Sequence, residues 1–223
     1  MPRTTLTADH IVRAALEVLD EEGLEGLNMR RLGARLGSAA TAVYWHVGSK
    51  ERLVELAADS VWGEIEFPDP EALGWRAAAT IMAHAFRAMI ARHLWLVPAM
   101  GSYLIYGPGK ARHDEHALAV YEAGGFTGTE ADKALNAVYM FVAGQALSDA
   151  AEAAWKRRLT RDGTSLEEEG QAVMARITAV TQGFPRLHAL AASYELIDPA
   201  AADERFEFGL SVIFDGLQGK LAD

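Results

Sequence analysis

The chain has 223 residues, half of them hydrophobic, and a formal net charge of −10. A chain of this length and composition forms a globular protein with a substantial core. It contains no cysteine, which excludes disulfides, thiolate metal sites and a cysteine nucleophile and is typical of a reducing cytoplasm. The first residues are polar, and the longest apolar stretch, 137–147, is too short to cross a bilayer. We therefore expect a cytoplasmic protein with no membrane segment.

Hydrophobic residues recur at helical spacing along almost the whole chain, and strand patterns are nearly absent. Thr7 is a candidate N-cap for a first helix, in which Ile11, Ala15 and Leu19 fall on one apolar stripe. The sequence therefore predicts an all-α protein.

Residues 28–50 have the pattern of two short helices separated by a turn. Leu32 and Leu36 lie four apart on one face of the first helix, and Gly37 follows as its stop. The second helix is predicted from 39 to 47. Its inward side chains are Ala40, Val43 and Val47. We call residues 28–50 the helix-turn-helix segment.

The helix-turn-helix segment is the basic part of an acidic chain, because residues 28–52 contain five cations and one anion. A protein that repels polyanions everywhere else is most simply one that binds nucleic acid with this segment. Arginine side chains here suit a phosphate or a guanine edge, and Lys50 suits a phosphate. The predicted DNA-binding residues are Asn28, Arg30, Arg31, Thr41, Ala42, Tyr44, Trp45, His46 and Lys50.

Two of these residues have an alternative interpretation. Asn28 is also a candidate helix cap. Trp45 is also a candidate for packing in the core or against a helix. Tyr44 and His46 suit contacts with the DNA backbone, whereas Thr41 offers a hydroxyl and a methyl group to a base edge.

A fourth helix is predicted to start after Ser49 and to stop before the two prolines of residues 67–70. These prolines predict a junction between a helix-turn-helix DNA-binding domain, 1–67, and a larger helical domain for ligand binding and dimerisation, 68–223. The charged segment 156–170 is predicted to be a mobile loop. Further helices are predicted at about 72–92, 94–105, 111–124, 129–156, 166–181, 186–195 and 202–221.

The larger domain is rich in aromatic side chains and in flexible apolar side chains. Such groups suit a pocket for a flat or hydrophobic molecule. The predicted ligand-binding residues are Phe86, Met89, His93, Trp95, Met100, Tyr103, Tyr139, Met140 and Gln145. The alternative for each of them is an ordinary place in the core.

Two helices have patterns that suit dimerisation. The last helix carries an apolar stripe, and the helix at 129–156 is rich in small residues that allow close helix approach. The predicted interface residues are Ala143, Ala146, Ala150, Leu210, Ile213, Phe214 and Leu217. The alternative is that both helices line the core of one chain. Dimerisation would place the second helix of each helix-turn-helix segment, the reading helix, in successive major grooves roughly 34–36 Å apart.

Residues 11–53 combine an opening helix, a Gly-Leu turn, the two short helices, the string Tyr44-Trp45-His46-Val47 and a Gly-Ser break before Lys50. In this order they resemble the amino-terminal domain of the tetracycline-repressor (TetR) family of bacterial transcription regulators. Weaker similarities lie at 183–187 and 206–217. The resemblance implies a homodimer with a four-helix bundle between its subunits.

The tetracycline repressors recognise a drug-bound magnesium partly through a histidine just after the fourth helix and a second one deeper in the pocket. In this chain Glu66 stands at about the first place, and no histidine lies around Met100. Tetracycline is therefore not the expected effector, and we expect neither a metal nor another cofactor. His113 and His116 have i,i+3 spacing that suits a metal, but we interpret them as part of a solvated, charged helix start.

The sequence lacks the nucleophile elbow, phosphate loop, His-Glu-x-x-His motif and dinucleotide fingerprint of common enzymes. We therefore predict a DNA-binding transcription regulator and not an enzyme. In the main hypothesis it is a repressor that leaves a palindromic double-stranded operator when a small hydrophobic or aromatic molecule binds. The alternatives are an architectural or effector-independent DNA-binding protein and a co-repressor-dependent regulator.

Overall fold

A computed structural model of the protein describes residues 6–161, 163, 165–191 and 199–221. The regular structure of these residues is helical throughout, which confirms the predicted fold class. A short 3-10 turn, Trp62–Glu64, follows the fourth helix. The helices are α1 (Ala8–Gly26), α2 (Met29–Arg35), α3 (Ala40–Val47), α4 (Lys50–Val61), α5 (Pro70–Leu73), α6 (Trp75–Arg92), α7 (Leu96–Met100), α8 (Pro108–Ala123), α9 (Thr129–Arg161), α10 (Leu166–Thr181), α11 (Pro185–Ala191) and α12 (Pro199–Lys220).

Helices α2 and α3 pack together as the predicted helix-turn-helix. Gly37 lies in the turn at φ +62°, a left-handed conformation that glycine adopts without steric penalty. The backbone N–H of Ser38 donates to the carbonyl of Gly33 at 2.8 Å, which closes the turn. Val43 and Val47 are buried as predicted.

Helix α4 joins the helix-turn-helix segment to the rest of the protein. The Ser49 hydroxyl accepts a hydrogen bond from the Arg52 N–H at 3.0 Å and caps its first turn, as predicted. Trp62 and Ile65, just after the helix, are also buried. The end of α4 is therefore embedded in protein. Its buried face consists of Leu53, Val54, Ala57, Ala58 and Val61.

Three predicted boundaries were wrong. The helix predicted at 94–105 is only the short α7, and α8 starts at Pro108 because proline suits the first turn of a helix. The predicted loop at 156–170 is largely helical, since α9 continues to Arg161 and α10 begins at Leu166. Charged residues stabilise the end of α9 and the start of α10. Lys156 pairs with Glu152 near the end of α9, and three glutamates lie in the first turn of α10. Residues 192–195 of the predicted helix at 186–195 lie outside the described residues.

Packing divides the chain into two units at places other than the prolines. The first unit runs to Leu147 and includes the chain from Ile213, and the second unit is Ser148–Val212. The first unit contains α1 to α4 together with α6 to α8, so the prolines of residues 67–70 do not mark a gap in the packing. The division into domains at residue 67 stays a prediction.

Three predicted interface residues are buried within one protomer. Ala146, Leu210 and Phe214 have almost no exposed surface, so they are not available to a second chain. The Phe214 ring packs edge-on against Trp75, with centroids 5.9 Å apart, and under the guanidinium of Arg76. For these positions the core alternative is correct. The other four predicted interface residues, Ala143, Ala150, Ile213 and Leu217, are partly exposed.

Candidate functional site

Large aromatic side chains stand exposed on α3. Trp45 is 81% exposed and Tyr44 is 45% exposed, so the packing alternative for Trp45 is wrong. The Trp45 ring meets the His46 ring edge-on at 4.7 Å. Thr41 is exposed and Ala42 is half-buried on the same helix. An exposed tryptophan on a polar surface is typical of a binding surface.

Asn28 caps α2, as the alternative interpretation had it. Its side-chain oxygen accepts hydrogen bonds from the backbone N–H groups of Arg30 and Arg31 at 2.9 and 3.2 Å. The cap satisfies two N–H groups that have no partner inside the helix.

Most cations of the helix-turn-helix segment already have partners in the protein. The Arg31 guanidinium binds both carboxylate oxygens of Glu22, at 2.8 and 2.7 Å, and thereby holds the pKa of Glu22 below its usual value. Arg35 pairs with Glu17 at 2.7 Å. The ammonium of Lys50 donates to the backbone carbonyl of Leu24 at 3.2 Å.

Arg30 differs from these cations, because it is exposed and has no carboxylate partner in the described part of the chain. The positive surface is therefore smaller than the composition indicates. Exposed ion pairs are worth little, so a phosphate can replace Glu22 at Arg31 at a small energetic cost.

Four aromatic rings pack together, one from the 3-10 turn after α4 and one each from α6, α8 and α9. The Trp62 indole lies 5.2 Å from Phe86, with an angle of 24° between the planes, and 4.7 Å from His113. Phe86 in turn stacks on Tyr139 at 4.9 Å and 15°. The stack therefore connects the turn after α4 to α6, α8 and α9.

A cavity of about 30 Å³ lies beside this stack. It has room for about one or two water molecules, so a larger ligand requires the rings to move apart. Phe86 and Tyr139 line it, as predicted, and the Tyr139 hydroxyl contacts the Met100 sulfur at 3.8 Å. His113 also lines it and was not predicted as a pocket residue. The lining consists of Ala79, Met82, Ala83, Phe86, His113, Ala117, Tyr121, Leu135 and Tyr139.

His93 and Trp95 are not pocket residues, contrary to the prediction. The two ring nitrogens of His93 lie 2.7 Å from Asp20 of α1 and 2.9 Å from Glu64 after α4. The Trp95 indole N–H donates to the same Asp20 oxygen at 2.8 Å. The two side chains join α1 to the turn between α6 and α7.

The other predicted pocket residues also lie off the cavity lining. Met89 is buried, Met140 is 57% exposed, and Tyr103 and Gln145 are half-buried. These residues range from buried to exposed. Apolar spacing did not predict their environments, because it does not distinguish a pocket wall from a core or a surface position.

Within the described ranges, His113 is neither a metal ligand nor part of a solvated helix start, the two interpretations of the histidine pair on α8. It is buried in the ring stack. His116 instead hydrogen-bonds the Pro68 carbonyl at 2.9 Å and stacks on Phe67 at 4.8 Å. The described residues contain no cluster of three side chains that would hold a metal. In the same part of the chain, none of the helices is long and apolar enough to span a membrane.

Asp59 connects α4 directly to α8. Its carboxylate accepts hydrogen bonds from the backbone N–H groups of Gly109 and Lys110 at 3.0 and 2.9 Å. The helices are so close that a Cβ on Gly109 would lie 2.2 Å from the Asp59 carbonyl oxygen. Glycine is therefore required there.

Residues 11–57 match the family described as bacterial regulatory proteins, tetR family, and residues 67–221 match the tetracyclin repressor-like C-terminal domain. The chain belongs to the TetR family. It is a helix-turn-helix transcription regulator, and this membership confirms the expectation that it is not an enzyme.

Several relatives are similar over nearly the whole chain. The HTH-type transcriptional repressor DrrR1 of Streptomyces coeruleorubidus is 33% identical over 97% of this chain and 79% of its own length. The class A tetracycline repressor from transposon 1721 of Escherichia coli is 29% identical over 96% of this chain and 91% of its own. The TetR family protein ActR of Streptomyces coelicolor, solved in complex with actinorhodin, superposes with a TM-score of 0.79 at 28% identity, covering 99% and 100% of the two chains.

The contacts of Glu64 predict a pH dependence of stability. Burial raises the pKa of Glu64, but hydrogen bonds from Arg92 and His93 outweigh burial and hold it below 4.5. The pKa of Glu64 is lower in the folded state than in the unfolded state. Its ion pairs therefore stabilise the protein fully at a pH above the unfolded pKa, and this contribution is lost as the pH falls through the folded pKa. We expect Glu64→Gln to lower the free energy of unfolding near neutral pH by about 1 kcal/mol and to flatten its fall in acid.

Urea unfolding at a series of pH values measures both effects. Glu66→Gln is the matched control, because Glu66 is an exposed neighbour without an ion pair among the described residues. Equal pH profiles for the two variants would contradict the role of Glu64.

Proposed function

We propose that this regulator is a homodimeric repressor that binds a palindromic operator through the exposed face of α3 and the start of α2. A small aromatic molecule that enters the ring stack of Trp62, Phe86, His113 and Tyr139 releases it. The contact of Trp62 with the cavity-lining rings carries this proposal, because Trp62 directly follows the helix that supports the helix-turn-helix segment.

The DNA-binding surface is inferred from exposure and charge. Thr41, Tyr44 and Trp45 present polar and aromatic groups on α3, and Arg30 adds the guanidinium without a carboxylate partner in the described part of the chain. The chain outside residues 28–52 is strongly acidic and repels DNA. Arg31, His46 and Lys50 adjoin this surface and are proposed to contact phosphates, whereas Asn28 contributes through its cap.

Arg30→Gln tests this surface. The logarithm of DNA affinity falls with the logarithm of salt concentration by about 0.9 per neutralised phosphate. We expect the variant to bind more weakly and to have a shallower slope by about 0.9 for each phosphate that Arg30 contacts. The measurement is a salt-dependent titration of a duplex that the wild-type protein selects from random sequences.

Lys133→Gln is the control, because it removes one exposed positive charge from α9. If Arg30→Gln keeps the affinity and the slope of this control, Arg30 does not contact DNA. Weaker binding with an unchanged slope would identify a base contact instead of a phosphate contact.

The effector site is inferred from the size and the position of the cavity. A cavity of about 30 Å³ admits an effector only if the surrounding rings move. Trp62 stacks on Phe86, which is one of these rings, so movement there displaces the end of α4. The similar protein ActR, solved with actinorhodin, supports a small-molecule effector.

Trp62→Leu tests the coupling through α4. In the wild-type protein we expect an aromatic compound from a thermal-shift screen to raise the melting temperature and to weaken operator binding by roughly 5–150-fold. The variant should keep part of the thermal shift and lose most of the effect on DNA, because leucine fills the core without the stacking contact. Trp75→Leu, whose ring packs on Tyr121 and Phe214, is the control that should keep the effect.

The screen also separates the alternatives. A hit that strengthens operator binding would identify a co-repressor-dependent regulator. If hits stabilise the protein and none of them changes operator affinity, the effector proposal is wrong and an effector-independent DNA-binding protein is left.

The dimer interface is inferred from exposed apolar side chains. In the second unit these are Leu166, Val180, Phe184, Leu187, Leu190, Phe208 and Val212. Exposed apolar surface of this kind marks a protein contact. Phe208 and Val212 lie one turn apart on α12, on a face that does not include the buried Leu210 and Phe214.

We expect Phe208→Glu to sediment as a folded monomer at concentrations where the wild-type protein is a dimer, because burying an unpaired charge is strongly unfavourable. Operator affinity should fall when the dimer is lost, since a monomer presents one reading helix to the operator and a dimer presents two. Leu104→Glu, at an 85% exposed position in the first unit, is the control. A dimeric Phe208→Glu would place the interface elsewhere.

A further inference from the structure

The ammonium of Lys110 occupies a cage made by two aromatic rings and a carboxylate. Its nitrogen lies 4.9 Å from the centroid of Trp62 and 5.0 Å from that of Tyr139. An Asp114 carboxylate oxygen accepts its hydrogen bond at 2.7 Å. The Lys110 side chain is only 14% exposed. The cage therefore already holds an ammonium group, which is that of the protein's own Lys110.

The cage adjoins the proposed effector site and shares the Tyr139 ring with it. Trp62 and Tyr139 both stack on Phe86 beside the cavity, and Tyr139 lines it. A flat molecule that separates these rings comes into reach of the position that the Lys110 nitrogen now holds. Lysine is a flexible chain with a strongly hydrated ammonium, so its end can move into solvent.

The charges around the cage favour a cation. Asp114 of α8 binds the Lys110 ammonium, and the Asp59 carboxylate of α4 accepts a hydrogen bond from the Lys110 backbone N–H. The Asp114 charge also acts on the cavity: the pKa of Tyr139 is raised mainly by burial and further by this carboxylate. Burial raises the pKa of Asp114, but hydrogen bonds from His113 and Lys110 outweigh burial and keep it below its usual value. An anionic ligand would have to displace Asp114 from Lys110 beside a second carboxylate, which is unfavourable.

We propose that the effector is a planar aromatic compound with a cationic amine, and that this amine replaces the Lys110 ammonium between Trp62, Tyr139 and Asp114. This inference rests on the proposed effector site and adds the chemical class of the ligand. Exchanging one ammonium for another keeps the charge of the cage unchanged. The aromatic body stacks on the rings that it separates, and the amine fixes its orientation through cation–π contacts and the carboxylate.

Three anthracene derivatives test this inference, because they differ only in an aminomethyl, a hydroxymethyl or a carboxylate group on the central ring. Fluorescence titration measures their affinities for the wild-type protein, Lys110→Met and the control Lys133→Met. We expect the amine to bind best to the wild-type protein. Lys110→Met vacates the cage and leaves Asp114 without its ammonium partner, so it should tighten amine binding by about 5- to 30-fold and leave the alcohol unchanged.

Asp114→Asn provides an independent variant if Lys110→Met does not fold. It should weaken amine binding by about tenfold and leave the alcohol unchanged, because it removes the carboxylate and keeps its shape. Circular dichroism and the melting temperature check that each variant is folded.

Three results would overturn the amine proposal. The carboxylate derivative could bind best and lose affinity in Lys110→Met, which would make Lys110 an anion contact. The three compounds could bind equally, or none of them could bind to either protein. An amine that binds as expected but does not change operator affinity would leave the cage assignment correct and would contradict the proposed switch instead.

Discussion

The hydrogen bonds from the Gly109 and Lys110 backbone to Asp59 hold the end of α4 on the start of α8. The rest of the structure depends on this contact, because α4 lies between the helix-turn-helix segment and the aromatic rings around Trp62. Its first turn lies beside the helix-turn-helix segment, where Lys50 reaches the end of α1. Its last turn leads into Trp62, which packs on Phe86 beside the proposed effector site. In the proposed switch, a displacement at one end of the helix is transmitted to the other.

The carboxylates of α1 serve both parts of the protein. Asp20 binds His93 and Trp95 and so attaches α1 to the turn between α6 and α7. Glu17 and Glu22 bind Arg35 and Arg31 and so orient α2. The same ion pairs offset part of the positive charge on the proposed DNA-binding surface. In the proposed repressor they keep operator affinity in a range that an effector coupling of about 1–3 kcal/mol is able to change.

The helical class and the helix-turn-helix segment were predictable from the sequence, because local interactions determine them. The Asn28 and Ser49 caps, the Gly37 turn and the inward valines depend on residues within a few positions of each other. Their physical basis is the satisfaction of backbone N–H groups and the burial of one helix face, and both can be read from spacing. The exposure of Trp45 was not predictable in this way, since its helical position is compatible with either environment.

Only the tertiary structure decided which aromatic and charged side chains come together at the proposed effector site. His93 was predicted as a pocket residue because of its side-chain type, but its partners are Asp20, 73 residues away, and Glu64, 29 residues away. Trp62 belongs to the stack although it directly follows α4 of the predicted DNA-binding domain, and Lys110 reaches it from α8. The sequence by itself determined helices, caps and the basic segment. Contacts between side chains that are distant along the chain depend on how the helices pack, and that packing is a property of the whole core.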